Sequence, residues 1–205
     1  MINSELKEYI DNNIIVRYKN YESSHNDEHI LTVINNSFDI IKDLNLDVNE
    51  DMVYTIAAYH DIGIPQGRKT HHLTSAQILL DDNNIKQFFS EDEILIMKEA
   101  IEDHRASSPN PPRSIYGKIV AEADRDINPN RILERCMQYQ KYKYPSSSDE
   151  EIIQFAKEHI IDKYGDNGYL KIRLNTKRNQ DGLDTIRNWI KTGEIDQLLK
   201  SYIQV

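Results

Sequence analysis

The segment AAYHDIGIPQGRKTHHLTSA, residues 57–76, concentrates side chains that can bind a metal ion. It contains the adjacent pair His60 and Asp61, and a second adjacent pair, His71 and His72, follows after a turn rich in glycine and proline. Imidazole and carboxylate groups together are ligands that borderline and hard divalent metals accept. A lone histidine on an apolar face would more simply be a core residue bonded to a backbone carbonyl, but this grouping predicts a divalent metal site.

Three ligand candidates occupy comparable places in predicted helices. His60, His104 and Asp124 each lie at the C-terminal end of an apolar face with helical spacing. A polar side chain at the end of a buried face needs a partner, because an unpaired buried polar group is costly. One such placement can arise by chance, whereas three indicate that the helix ends converge on a common site.

The elements that must position these side chains are predicted to be helices. Apolar residues recur with the helical period, and 7 glycines and 6 prolines among 205 residues suit a helical protein better than a β protein with many turns. The period does not decide between helix and strand for the segment 170–176. The predicted helices cover about residues 4–20, 28–41, 50–61, 71–80, 91–101, 114–124, 128–144, 148–164 and 180–190, and a last short helix begins at Glu194.

The chain length and the helical pattern predict an all-α fold. We expect one domain over residues 1–205, with no linker that divides it. Its metal-site core spans about residues 20–130, and a C-terminal helical extension spans about residues 131–205.

Composition argues against several classes of function. The formal net charge of −9 argues against a nucleic-acid polymer as partner, because such binding depends on clustered positive charge. No apolar run approaches the roughly 18 residues that a membrane-spanning helix needs, so no membrane association is predicted. There is one cysteine, Cys136, so no internal disulfide can form, and the N-terminal residues are too polar for a signal peptide. We therefore expect a cytoplasmic protein.

Three sequence segments, in their order along the chain, resemble the HD superfamily of metal-dependent phosphohydrolases. They are HILTV at 29–33, HDIG at 60–63 and AEADRDI at 121–127, and the resemblance covers about residues 20–130. It implies an all-α bundle of the HD-domain type and a divalent ion, which could be Mn, Fe, Ni, Zn or Mg. The ligands that it implies are His29, His60, Asp61 and Asp124.

Family members that bind a second metal carry further histidines between the HD pair and the last aspartate. His72 and His104 are the candidates here, and Asp61 would then bridge two ions. The alternative is that these two histidines hydrogen-bond the phosphate of a substrate. Two assignments stay open, namely His72 or His71 for the added ligand and His29 or His25 for the first ligand.

The activity that the resemblance implies is hydrolysis of a small phosphate ester, such as a nucleotide, by a phosphomonoesterase or a phosphodiesterase. A divalent ion lowers the pKa of bound water toward about 7 and neutralises a phosphoryl oxygen. Asp61 would be the catalytic residue that holds or orients this water. Cations are also needed near the phosphate, and the candidates are Arg68, Lys69, Arg105 and Arg113.

The sequence lacks the motifs for two substrates that some members of the superfamily hydrolyse, and it leaves two other functions open. No Glu-Asp pair of the kind found in guanosine tetraphosphate hydrolases follows the HD pair, and no GYP motif of the cyclic-di-GMP hydrolases is present. The first alternative function is a non-catalytic, metal-stabilised module that binds a ligand. The second is an iron-dependent enzyme of the same superfamily that uses oxygen.

Overall fold

The computed structural model describes residues 2–21, 25–125 and 127–203. These residues form ten α-helices and no β-strand, which confirms the predicted all-α fold. The segment 170–176, which the sequence left undecided, is neither helix nor strand. The helices are α1 (Ser4–Asn13), α2 (Asp27–Asp43), α3 (Glu50–Tyr59), α4 (His71–Asp81), α5 (Glu91–Asp103), α6 (Ile115–Asp124), α7 (Pro129–Lys143), α8 (Asp149–Tyr164), α9 (Lys177–Thr192) and α10 (Glu194–Ser201).

The chain divides into two compact units, Met1–Arg125 and Asp126–Val205. The first unit holds α1 to α6, and the second holds α7 to α10. The division lies close to the boundary near residue 130 that was expected between the metal-site core and the C-terminal extension. Whether the chain behaves as one domain stays a prediction.

Helix α3 is the centre of the first unit. It contacts α1, α2, α4, α5 and α6, and its residues from Met52 to Tyr59 are all buried. A helix that is apolar on every side must be covered on every side. The HD pair follows α3 directly, so its backbone emerges from the most enclosed element of the unit.

The first predicted helix, residues 4–20, is in fact two elements. Helix α1 ends at Asn13, and a 3-10 helix spans Ile15–Asn20. The β-branched run Ile14–Val16 lies at this junction, and β-branched side chains lose rotamer freedom in an α-helix. The 3-10 helix contains Tyr18 and is followed by Tyr21, and both tyrosines contact the backbone around the HD pair.

These two tyrosines fix the backbone on both sides of the HD pair. The Tyr18 hydroxyl donates to the carbonyl oxygen of Ala58 at 2.8 Å, and the Tyr21 hydroxyl donates to that of Ile62 at 2.9 Å. The last carbonyl groups of a helix have no partner within the helix. The tyrosines therefore satisfy buried acceptors and hold the end of α3 in place.

The second unit has its own apolar core, formed by all four of its helices. A capping box of Ser148 and Glu151 begins α8, and Pro129 occupies the first turn of α7. A side chain on Gly182 of α9 would come within 2.0 Å of the carbonyl oxygen of Ile127, so this close approach requires glycine. Among the described residues, no helix is both long enough and apolar enough to cross a membrane.

Candidate metal centre

His60 and Asp61 are buried at the C-terminal end of α3. The side chain of His60 is fully buried, and that of Asp61 is 3% exposed. Asp124 lies at the end of α6, and the side-chain amide of Asn36 from α2 donates to the neighbouring carbonyl oxygen of Ala123 at 3.1 Å. The helix ends therefore converge, as the spacing of the apolar residues predicted.

Three histidines of the site share one hydrogen-bonding pattern. In each, Nδ1 lies within hydrogen-bond distance of the backbone carbonyl oxygen three residues earlier. A carbonyl only accepts, so Nδ1 carries a proton and Nε2 is the nitrogen atom left to face the carboxylates. When Nε2 is unprotonated, this is the form of imidazole that a metal ion binds. The pairs are His60 with Ala57 at 2.8 Å, His71 with Arg68 at 2.7 Å and His104 with Ile101 at 2.7 Å.

Oδ2 of Asp61 faces the first group of ligand candidates. It lies 3.3 Å from Nε2 of His60 and 3.6 Å from Nε2 of His29. Oδ1 of Asp124 lies 3.3 Å from the same His29 atom and 3.9 Å from the His60 atom. Both Nε2 atoms are buried without a hydrogen-bond partner among the described residues. Buried nitrogen atoms of this kind, aimed at two carboxylates, fit a divalent ion.

Oδ1 of Asp61 faces a second group. It lies 3.1 Å from Nε2 of His71 and 3.4 Å from Nε2 of His104, and these two nitrogen atoms are 3.0 Å apart. The two oxygen atoms of one carboxylate thus point at two separate sets of imidazole nitrogens. This arrangement suits a carboxylate that bridges two ions.

His71, and not His72, is the histidine of that pair that approaches Asp61. The ring of His72 is 5.7 Å from the ring of His71, and within the described part of the chain it forms no ion pair with a carboxylate. Burial lowers the pKa of His72 to about 4, helped by the charge of Arg105. The geometry therefore favours His71 over His72 as the added ligand, because of the two only His71 is aimed at the carboxylate by the first turn of α4.

The neighbours of His25 bear on the choice between His25 and His29. Both histidines lie with Asp61 in a group that could hold a metal ion. Nε2 of His25 lies 2.7 Å from Nη2 of Arg68, and its Nδ1 lies 2.7 Å from Oδ2 of Asp61. A guanidinium group only donates, so Nε2 accepts and Nδ1 holds the proton, an arrangement that favours His29 as the ligand.

The predicted phosphate-binding cations have different surroundings. Arg68 and Lys69 lie exposed in the loop before α4, and Nη1 of Arg105 donates to the carbonyl oxygen of Lys69 at 2.8 Å. Arg113 instead forms ion pairs with three acidic residues. Its charge is already compensated, which favours a structural role over the predicted substrate binding. The three acidic partners are Glu99 at 3.2 Å, Glu102 at 2.7 Å and Asp103 at 2.9 Å.

The electrostatics of the cluster favour charged ligands and bound cations. Burial raises the pKa of Asp61 and of Asp124, but the surrounding histidines outweigh it and hold both values below the ordinary one. Burial lowers the pKa of His29, yet the nearby carboxylates of Asp124 and Asp61 outweigh it and raise the pKa to about 9. The carboxylates therefore stay ionised and attract positive charge, whether from a proton or from a metal ion.

Comparison with known proteins agrees with this geometry. The model of the HD domain family matches residues 26–128, which is half of the chain. The protein belongs to the HD domain family. Asp126, which falls within the motif AEADRDI, lies outside the described residues.

One solved structure with a similar fold is that of a predicted HD superfamily hydrolase from an uncultured Thermotogales bacterium. The two proteins share 19% sequence identity, and the match covers 97% of this chain and 93% of that chain with a TM-score of 0.55. At this identity the likeness concerns the fold. No curated protein matches the chain.

Proposed function

We propose that the protein is a metal-dependent phosphohydrolase that acts on a small phosphate ester, such as a nucleotide. The observation that carries this proposal is the Asp61 carboxylate, whose two oxygen atoms each face a separate pair of imidazole nitrogens. Membership of the HD domain family supports it, and the Thermotogales protein of similar fold is itself a predicted hydrolase.

Two sets of residues are suited to hold divalent ions, and they share Asp61. A bound divalent cation supplies Lewis acidity, which lowers the pKa of water toward about 7 and neutralises charge on a phosphoryl oxygen. The histidines of both sets that donate through Nδ1 to backbone carbonyls have Nε2 oriented toward the place an ion would occupy. The first set is His29, His60, Asp61 and Asp124, and the second is Asp61, His71 and His104.

The exposure of the cluster defines the side from which a substrate approaches. The side chain of Asp124 is 25% exposed and that of His29 is 14% exposed, whereas His60 is fully buried. The cations of the loop before α4 and Arg105 lie beside the His71 half of the cluster. A phosphate group bound at the exposed part of the cluster would have Arg68, Lys69 and Arg105 available to neutralise its charge, and Asp61 would orient water.

The test is phosphate release by the purified chain with Mn, Fe, Ni, Zn or Mg added singly. A phosphomonoester and a phosphodiester of the same chromophore distinguish the two kinds of esterase. Asp61→Asn keeps the size of the side chain but removes its charge, so we expect activity to fall by several orders of magnitude. Asp47→Asn, at an exposed position in the same unit, is the matched control and should keep its activity.

Two outcomes contradict the proposal. The first is equal turnover in Asp61→Asn and in the parent protein, with the fold confirmed by circular dichroism. The second is metal-dependent oxygen consumption without phosphate release, which would favour the oxygen-using branch of the superfamily instead.

A further inference from the structure

We propose that Arg68 is a positioning residue for the carboxylate of Asp61, which it reaches from both sides through a ring of polar contacts. The ring runs from Asp61 to His25, to Arg68, to His71 and back to Asp61. This inference rests on the proposed function, in which Asp61 binds metal. Neither His25 nor Arg68 belongs to the ligand sets described above.

The first arm of the ring uses the guanidinium group. Nη2 of Arg68 donates to Nε2 of His25 at 2.7 Å, which leaves the proton of the His25 imidazole on Nδ1. Nδ1 then donates to Oδ2 of Asp61 at 2.7 Å. The orientation of His25 is therefore set by Arg68, and one oxygen atom of the carboxylate is set by His25.

The second arm uses the backbone of the same residue. The carbonyl oxygen of Arg68 accepts a hydrogen bond from Nδ1 of His71 at 2.7 Å, and Nε2 of His71 lies 3.1 Å from Oδ1 of Asp61. The side chain of Arg68 thus acts on one carboxylate oxygen, and its main chain acts on the other. A substitution at this position removes the first arm and keeps the second.

The loop that carries Arg68 is itself held in place. Nη1 of Arg105 donates to the carbonyl oxygen of Lys69 at 2.8 Å. Gly67 has a φ of 140°, which residues other than glycine rarely adopt. The loop is therefore a fixed support for the ring.

A positioning role and a purely electrostatic role for Arg68 predict opposite changes in metal affinity. If Arg68 acted only through its charge, its loss would remove repulsion from a nearby cation and would tighten metal binding. If it orients a ligand through an intermediate residue, its loss should weaken metal binding, typically 10–100-fold for such outer partners. The sign of the change in affinity distinguishes the two roles.

The experiment is titration of the purified full-length chain with Mn²⁺, followed by the electron paramagnetic resonance signal of the free ion. We expect Arg68→Gln to raise the dissociation constant about 10-fold. Lys69→Gln removes the same charge from the same loop, so it should leave the constant unchanged or lower it. Arg68→Lys keeps the charge but loses the planar fork, so it should weaken binding in the same direction as Arg68→Gln.

A double variant tests whether Arg68 acts through His25. His25→Phe keeps the ring shape and removes both nitrogen atoms. If the two residues act in series, the double variant His25→Phe/Arg68→Gln should bind Mn²⁺ no more weakly than His25→Phe alone. Thermal unfolding in a chelator checks that each variant folds, and we expect all of them to do so because Arg68 is exposed.

Each contrary outcome has its own meaning. A parent protein that does not bind Mn²⁺ or the other divalent ions overturns the proposed function together with this inference. If the parent protein binds Mn²⁺ and Arg68→Gln binds it equally well or more tightly, only the positioning role of Arg68 is overturned. Additive losses in the double variant also overturn it, because they place Arg68 and His25 in independent roles.

Discussion

The backbone N–H of Gly63 donates to the hydroxyl oxygen of Ser75 at 2.9 Å, and both residues are buried. This contact joins the turn after the HD pair to helix α4. A side chain on Gly63 would lie 2.7 Å from the carbonyl oxygen of His71 and 2.7 Å from the backbone nitrogen of Ser75. The glycine of HDIG therefore lets α4 approach closely enough for His71 to reach Asp61.

Gly63→Ala should damage the His71 half of the site selectively. The added methyl group meets backbone, which cannot move aside cheaply, so we expect α4 to shift and the unfolding free energy to fall by about 1–3 kcal/mol. Metal analysis should show loss of the ion that His71 and His104 hold, with the ion at His29 and His60 retained. Ser75→Ala is the milder control, since it removes one hydrogen bond without a clash and should cost about 1 kcal/mol. Unchanged metal content in Gly63→Ala would contradict this account.

His71→Gln and His72→Gln form a matched pair of neighbouring substitutions. Of these two histidines, only His71 approaches Asp61. His71→Gln should therefore lower the bound metal by one equivalent per chain, and His72→Gln should leave it unchanged. Elemental analysis after gel filtration measures both. Equal losses in the two variants would show that the adjacent histidines are not distinguished as the structure describes.

Much of the fold follows from local patterns in the sequence. The capping boxes at Ser90 and Ser148 mark two helix starts that the structure contains, and the apolar faces predict which ends converge. These signals are local, because a cap or an apolar stripe depends on residues within a few positions of one another. Helix starts with such caps are therefore predicted well from a single sequence, whereas the end of α1 at Asn13 is not.

The details of the site depend instead on tertiary contacts. His71 and His72 are about 100° apart around a helix, so the choice between them depends on how Gly63 sets α4 against α3. An exposed cation such as Arg113 selects its partners by proximity in the fold, and Asp103 lies on the preceding helix. The contact between His25 and Arg68 joins two loops, and no sequence pattern predicts it.

Metal removal should destabilise the first unit. A ligand that binds only the folded state stabilises it by about 2.7 kcal/mol at a concentration of 100 times its dissociation constant. We expect Mn²⁺ to shift denaturant unfolding of the parent protein by about this amount, and excess chelator should reverse the shift. Asp61→Asn should show little shift, because both ligand sets share Asp61. An equal shift in that variant would place the stabilising ion elsewhere.

Asp82 should make stability depend on pH independently of the metal site. Its Oδ2 accepts hydrogen bonds from the hydroxyl groups of Tyr9 and Tyr59, each at 2.6 Å. Tyr59 is a fully buried residue. Burial raises the pKa of Asp82, but hydrogen bonds from Tyr59, Tyr9 and the backbone outweigh it and lower the pKa below its ordinary value. The ionised form therefore stabilises the folded state above the unfolded pKa of about 3.9, and this contribution is lost as the pH falls through the lower folded value.

The comparison that isolates this effect is Asp82→Asn against the parent protein, both in excess chelator. At pH 7 we expect the variant to be less stable by about 1 kcal/mol, which is less than the roughly 1.5–3 kcal/mol of a hydrogen bond to a charged group because the site is only half-buried. The difference should shrink below about pH 4, first as Asp82 becomes protonated in the unfolded parent and then as the pH falls through its lower folded pKa. Asp81→Asn, at the exposed neighbouring position, should match the parent at every pH. A difference that stays constant between pH 7 and pH 2 would show that the charge of Asp82 does not stabilise the fold.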